Sequence, residues 1–185
     1  MINKRLLIKR LLTYNDENCF YDKKRQLNLH SKEGKAKFLK HICALTNANP
    51  LNNSYIVVGV EDENNVINGV DFFDDSKIQN LVNAYLHNPP SILYENIPFP
   101  RLQKNKVIGL VTIKQKETLE ISSFKKTIHK YYKNFTYKRI GSNSALMIND
   151  FDLKDFNSEI VSEIEKSAKN NIKHTLDAVT YFMKK

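Results

Sequence analysis

Tyr55-Ile56-Val57-Val58-Gly59-Val60 is the most apolar run in the chain. It is short and β-branched, with the Asn- and Pro-containing stretch Asn47 to Ser54 before it and Glu61-Asp62-Glu63 after it. That pattern predicts a central strand buried on both faces. Such a strand needs a covering layer on each side, and the rest of the chain supplies helical patterns for both. Residues 2–13 place Ile2, Leu6, Ile8, Leu11 and Leu12 at three- and four-residue spacings with cations between them, which predicts an amphipathic helix. Ser31 opens a second helix over Lys32–Thr46, with Phe38, Leu39, Ile42 and Leu45 as its apolar stripe. A third runs from Asp75 to His87 and is stopped by Pro89-Pro90. Helical signals return at Asp152–Phe156 and from Ser158 onward, where Ile160, Ile164, Ala168, Ile172, Leu176, Val179 and Met183 form one stripe.

Further strands are expected at Phe20–Leu27, Val66–Val70, Ile92–Ile97 and Val107–Ile113. In the first, alternation puts Asp22 and Lys24 on one face and Tyr21, Lys23 and Arg25 on the other. The Val66–Val70 strand would pair with the apolar run across an Asn64–Asn65 turn. The order of elements predicts an α+β fold with a mixed β-sheet flanked by helices. The 185 residues suit one domain, with a core over about 2–156 and a long C-terminal helix over about 158–183. That helix serves either as a dimer handle or as a cover for one side of the core. No apolar run reaches the ~20 residues of a membrane span, and the N-terminal MINKRLLIKRLL is broken by cations. A cytoplasmic location is expected, with Cys19 and Cys43 as reduced thiols.

The net charge of +9 is unevenly spread. Residues 1–40 hold 11 Lys/Arg against 4 Asp/Glu, and residues 101–140 hold 11 against 2, while 41–100 hold 1 against 7. Two basic segments flanking an acidic one suit a phosphate backbone that releases condensed counterions on binding. The alternative is a lysine-rich solvated surface. Within the second basic segment, Lys130, Lys133, Lys138 and Arg139 interleave with Tyr131, Tyr132, Phe135 and Tyr137. That reads as a stacking and phosphate-binding surface, or as a strand whose aromatics pack into the core.

Five glycines at 34, 59, 69, 109 and 141 cannot make a phosphate-cradling loop, and neither HExxH nor GxSxG occurs. What remains is a set of acids: Glu17 in a turn, Asp22 on the following strand and Asp62 at the exit of the central strand. Oxygen-only clusters of this kind suit Mg²⁺ or Mn²⁺, with a nearby lysine to offset phosphate charge. Equally, acids near strand ends are commonly just solvated. The histidines at 30, 41, 87, 129 and 174 form no cluster in sequence, although His41 and His129 could line a phosphate site.

The order Glu17-x₄-Asp22-Lys23-Lys24, then Ile42-Cys43-Ala44-Leu45-Thr46-Asn47, then Ile56-Val57-Val58-Gly59-Val60-Glu61-Asp62 and Gly69-Val70 resembles the Schlafen-type AlbA domain. Tyr137-Lys138-Arg139-Ile140-Gly141-Ser142 resembles that family's closing strand. The resemblance spans about residues 2–156 and implies nucleic-acid binding. In the Schlafen proteins themselves it implies metal-dependent endoribonuclease activity on structured RNA such as tRNA. By position it assigns Glu17, Asp22 and Asp62 as ligands of Mg²⁺ or Mn²⁺ and as catalytic acids, with Lys24 stabilising transition-state charge. Lys23, Arg25, Lys130, Lys133, Lys138 and Arg139 would then contact nucleic acid, RNA in preference to DNA. Because Schlafen nucleases combine two such lobes, a homodimer is implied. The departures are Asp22 in place of a Glu, Lys23 in place of an aromatic, and no Gly-Gly within Asn49–Tyr55. The alternatives are a non-catalytic DNA-, RNA- or nucleotide-binding module and a protein-interaction domain.

Overall fold

The computed structural model describes residues 2–13, 17–61, 65–74, 77–148 and 151–169. Its centre is a mixed sheet of β1 (Tyr21–Lys24), β2 (Ser54–Val58), β5 (Ile92–Ile97) and β6 (Lys106–Ile113), with the short β3 (Val70–Asp71). β1 lies parallel to β2, with Asp22 opposite Ile56. β2 and β5 both pair antiparallel with β6, and β3 pairs with the start of β6 where β2 leaves off. β2 is the apolar run read from the sequence, and all five of its residues are buried.

Alternation along β2 sorts the core into two. Tyr55 and Val57 pack with Leu7, Ile8 and Leu11 of α1 (Lys4–Thr13) and with Val161 and Ile164 of α4 (Ser158–Ser167). Ile56 and Val58 face α2 (Lys32–Ala48) and α3 (Ile78–Tyr85). Ser31 caps α2, its hydroxyl accepting from the Gly34 amide at 3.0 Å. Two small ribbons complete the fold: β4 (Leu86–His87) with β7 (Ser123–Phe124), and β8 (Thr136–Ile140) with β9 (Asn143–Met147).

Asn47, near the end of α2, positions β8. Its buried amide donates to the carbonyls of Ser122 and Tyr137 and accepts from the Ser122 amide, each at 2.8 Å. This side chain fastens the approach to the last ribbon onto the helix.

Several expected elements come out differently. The first strand ends at Lys24 rather than Leu27, because the Lys24 carbonyl accepts from Gly59, where β2 gives out. Of the expected Val66–Val70 strand, Ile67 makes one bridge to Val60, and Val70 pairs with β6 instead. Gly59 (φ +104°) and Gly69 (φ +69°) lie so close that a Cβ on Gly59 would meet the Gly69 Cα at 2.8 Å, which bends the chain out of a plain hairpin. The third helix is shorter, its last expected residues forming β4. Asp152–Phe156 is not helical, since Asp155 is held by the Leu51 amide and the Asn52 side chain. No helix among the described residues is long and apolar enough to cross a membrane.

Candidate functional site: a buried carboxylate pair locked by Arg139

The face of β1 that carries Asp22 and Lys24 looks toward α2 and β8. Asp22 is wholly buried there, and Glu17 approaches it from the turn before β1. Lys24 Nζ sits 3.0 Å from Asp22 Oδ1 and 3.3 Å from Glu17 Oε1. Arg139 enters from β8. Its Nη2 donates to Glu17 Oε2 at 3.1 Å and to Asp22 Oδ1 at 2.9 Å, and its Nε donates to the Asn18 carbonyl at 3.1 Å. The Arg139 side chain has no exposed surface. Two carboxylates are therefore faced by two cations inside the fold, as buried charges require.

His41 closes the cluster from α2. Arg139 Nη1 lies 3.3 Å from His41 Nδ1. A guanidinium can only donate, so Nδ1 accepts and the imidazole carries its proton on Nε2. Burial, followed by the charges of Lys24, Lys40 and Arg139, pushes His41 down to about 3. It is therefore neutral, and its 3.6 Å approach to Asp22 Oδ2 is not an ion pair. Glu17 moves the other way. Burial, its hydrogen bond with Asp22 and the charge of that carboxylate hold its carboxyl above the ordinary range, against the pull of Lys24. Glu17 is also partly exposed at the rim, so it is the member that can exchange a proton with solvent.

Of the acids predicted from sequence, Glu17 and Asp22 meet, and Lys24 joins them; Asp62 lies outside the described residues. The oxygen donors have the right chemistry for Mg²⁺ or Mn²⁺, and Asp22 Oδ2 makes no directed hydrogen bond. Yet Asp22 is sealed from water, and both carboxylates already face cations. Among the described residues no group of three or more His, Cys, Asp or Glu could hold a metal ion. The described residues alone do not fit a divalent ion.

The predicted nucleic-acid contacts divide. Arg139 is turned inward as the counter-ion of the acids rather than displayed on the surface. Lys23 is also buried, its Nζ 2.7 Å from Asn65 Oδ1 on the α1 side of the sheet. Lys138 is half-buried, donating to the Asp152 carbonyl and lying 4.9 Å over the Phe151 ring. Arg25 is exposed beside Glu61 at 3.3 Å. Lys130 and Lys133 are exposed on the turns before β8. Tyr131 and Tyr137 pack edge-on in the core, so of the interleaved rings only Tyr132 is largely exposed, at 56%.

Sequence reading missed the inward role of Arg139 and the part played by His41. A signal for Arg139 existed: on a strand it shares a face with Tyr137, two residues away, and that face is the apolar one.

The fold is α+β, with a mixed sheet, helices on both faces, and a first strand whose buried acid is locked by an arginine from a late strand. The chain belongs to the Schlafen AlbA_2 family, whose model matches residues 17–148. The match runs from Glu17 through Arg139 and so includes the whole described cluster. Family membership points to nucleic-acid binding. Among solved structures, the DIP2311 protein from Corynebacterium diphtheriae is similar at 12% identity with a TM-score of 0.49. The alignment covers 78% of this chain and 26% of that one, so this chain spans about a quarter of that protein's length. No curated protein gives a significant match.

Proposed function

We propose that this protein binds nucleic acid, RNA in preference to DNA, through the basic turns between β7 and β8. The observation that carries this reading is the construction of residues 125–134. An Ile128–Tyr131 bridge turns those two side chains inward and leaves Lys125, Lys126, Lys130 and Lys133 exposed. None of the four is in an ion pair among the described residues. Four exposed lysines with no ion pair among the described residues suit a polyphosphate backbone. Tyr132, stacked edge-on against Phe135 at 5.2 Å, adds an exposed ring beside them.

The test is fluorescence anisotropy with a structured RNA such as tRNA and a DNA duplex of equal length, over about 50–200 mM salt. Affinity should fall with salt, and the Lys130→Ala/Lys133→Ala double variant should weaken binding and flatten the salt slope by about 2. Affinity indifferent to salt, or equal in the variant, sinks the reading. A homodimer lining one cleft with both basic segments belongs to the same proposal. Sedimentation velocity showing only monomer at working concentration counts against that part.

Metal-dependent RNA cleavage is a second reading. It is favoured by the convergence of Glu17 and Asp22 under Lys24, with the Glu17 carboxyl held above its usual range. It needs Asp62 as the third acid and an ion able to displace Lys24. Incubation of tRNA with Mg²⁺ or Mn²⁺ tests it. Cleavage that is absent, or equal in Glu17→Gln and Asp62→Asn, removes it.

A further inference from the structure

A cavity of about 750 Å³ opens outside the carboxyl ends of the parallel strands β1 and β2, beside β3. Its volume falls in the range of small-molecule sites. The cations Arg25, Arg101 and Lys106 line it, with His30. Asp71 is the acid in the lining and is already tied to Lys106 at 2.9 Å, while Arg25 is paired with Glu61 at 3.3 Å. Arg101 has no ion pair or hydrogen bond among the described residues and is held at φ +69°, a backbone state that bulky side chains rarely adopt.

The same cavity presents an aromatic ring. Phe72 is 73% exposed, yet the backbone on both sides of it is fixed. Asp71 before it pairs with Lys106 in the sheet. Phe73 after it is clamped by Asn96, which accepts from the Phe73 amide at 3.1 Å and donates to the Phe73 carbonyl at 2.8 Å. The Phe73 ring is itself packed on Tyr94, centroids 5.2 Å apart. The lining thus holds a large exposed ring and a guanidinium that makes no ion pair among the described residues. That combination matches a ligand with a flat π-face at one end and a phosphate at the other.

We propose that this cavity binds a phosphorylated nucleoside, its base stacked on Phe72 and its phosphate held by Arg101 and Arg25. The inference rests on the nucleic-acid-binding reading but not on cleavage. It applies equally to a free nucleotide and to one nucleotide of a single strand, since both offer the same base and phosphate. Arg25 directly follows Lys24, so an occupant here is continuous along the chain with the carboxylate cluster.

The test uses the full chain with adenosine and uridine 5′-monophosphates, the matching nucleosides, inorganic phosphate and a fluorescein-labelled single-stranded RNA. Phe72→Ala removes an exposed ring, and Arg101→Asn keeps a residue that accepts positive φ, so neither should unfold the protein; thermal melts check this. The nucleotides, or a nucleotide in the strand, should bind saturably and at least about tenfold more weakly to each variant. The nucleosides and inorganic phosphate should each bind more weakly than the nucleotide that joins them. Mononucleotide binding that competes with the strand identifies a free nucleotide as a ligand; binding of the strand alone, still lost in the variants, identifies a nucleotide within it. Unchanged affinity in both folded variants overturns the proposal, as does no binding of either the mononucleotides or the strand. RNA affinity that depends on Lys130 and Lys133 but not on Phe72 or Arg101 removes this inference and leaves the basic-turn interface standing. The reverse pattern removes the interface alone.

Discussion

Replacing Arg139 with methionine removes the fully buried member of the two cations that touch both Glu17 and Asp22. The substitution keeps an unbranched side chain of similar reach, so packing is largely preserved and the effect is electrostatic. Arg139 donates to Glu17, Asp22 and the Asn18 carbonyl, and its side chain is fully buried. Without it, Asp22 keeps only Lys24 as a counter-charge. Removing one partner from a buried ion pair costs about 3–5 kcal/mol. With a urea m-value of ~2 kcal/mol/M, the unfolding midpoint should fall by about 1.5–2.5 M. Asp22→Asn in the same background should recover part of that loss, because the stranded charge is then gone. The double-mutant cycle should give a coupling of about 1–3 kcal/mol. A midpoint shift below about 0.5 M, or strictly additive single and double variants, refutes the idea that Arg139 is the lock.

Acid should also weaken the fold through His41. Its folded value of about 3 lies below the unfolded ~6.5, so its contribution is complete above pH 6.5 and is lost as pH falls toward 3. Glu17, raised in the fold, acts in the opposite sense: its contribution is complete below its unfolded value and is lost as pH rises through the folded one. Unfolding free energies from urea titrations at pH 7 and pH 5 should differ by up to about 2 kcal/mol in the native protein, and by less in His41→Gln. Asn47→Ala should cost about 2–4 kcal/mol, because the buried Ser122 amide and two carbonyls lose their partner; thermal unfolding measures it. Gly59→Ala should destabilise by about 1–3 kcal/mol through its positive φ alone, beyond the contact with Gly69, and the same melts detect it.

Much of the sheet was legible in the sequence. A continuous β-branched apolar run identified β2 as the buried centre, alternation put Asp22 and Lys24 on one face of β1, and β5 and β6 were located to within a residue. Pattern reading failed where pairing is short. β3, β4 and β7 hold two residues each, too few for a period to register. β9 was missed because Asn143–Met147 has no strong apolar alternation; its pairing with β8 makes it a strand. The site was legible as far as Glu17, Asp22 and Lys24, which are close in sequence. Arg139 was read as a surface cation from its basic segment, although it shares a strand face with Tyr137; the acid that draws it inward is 117 residues away. His41, isolated in sequence, gains its role only when α2 is laid beside β8.

The span of the Arg139 contacts has a consequence for how the chain is made. Asp22 and its guanidinium partner are 117 residues apart, and Glu17 and Arg139 are 122 apart. A ribosome delivers β1, α2 and β2 well before it delivers β8. Until then Asp22 has no arginine, and an acid without that partner resists being sealed from water. The half-made protein is thus kept hydrated at the edge of its sheet, and the arrival of residue 139 is the event that lets this face close. Contacts of such long sequence separation also form slowly.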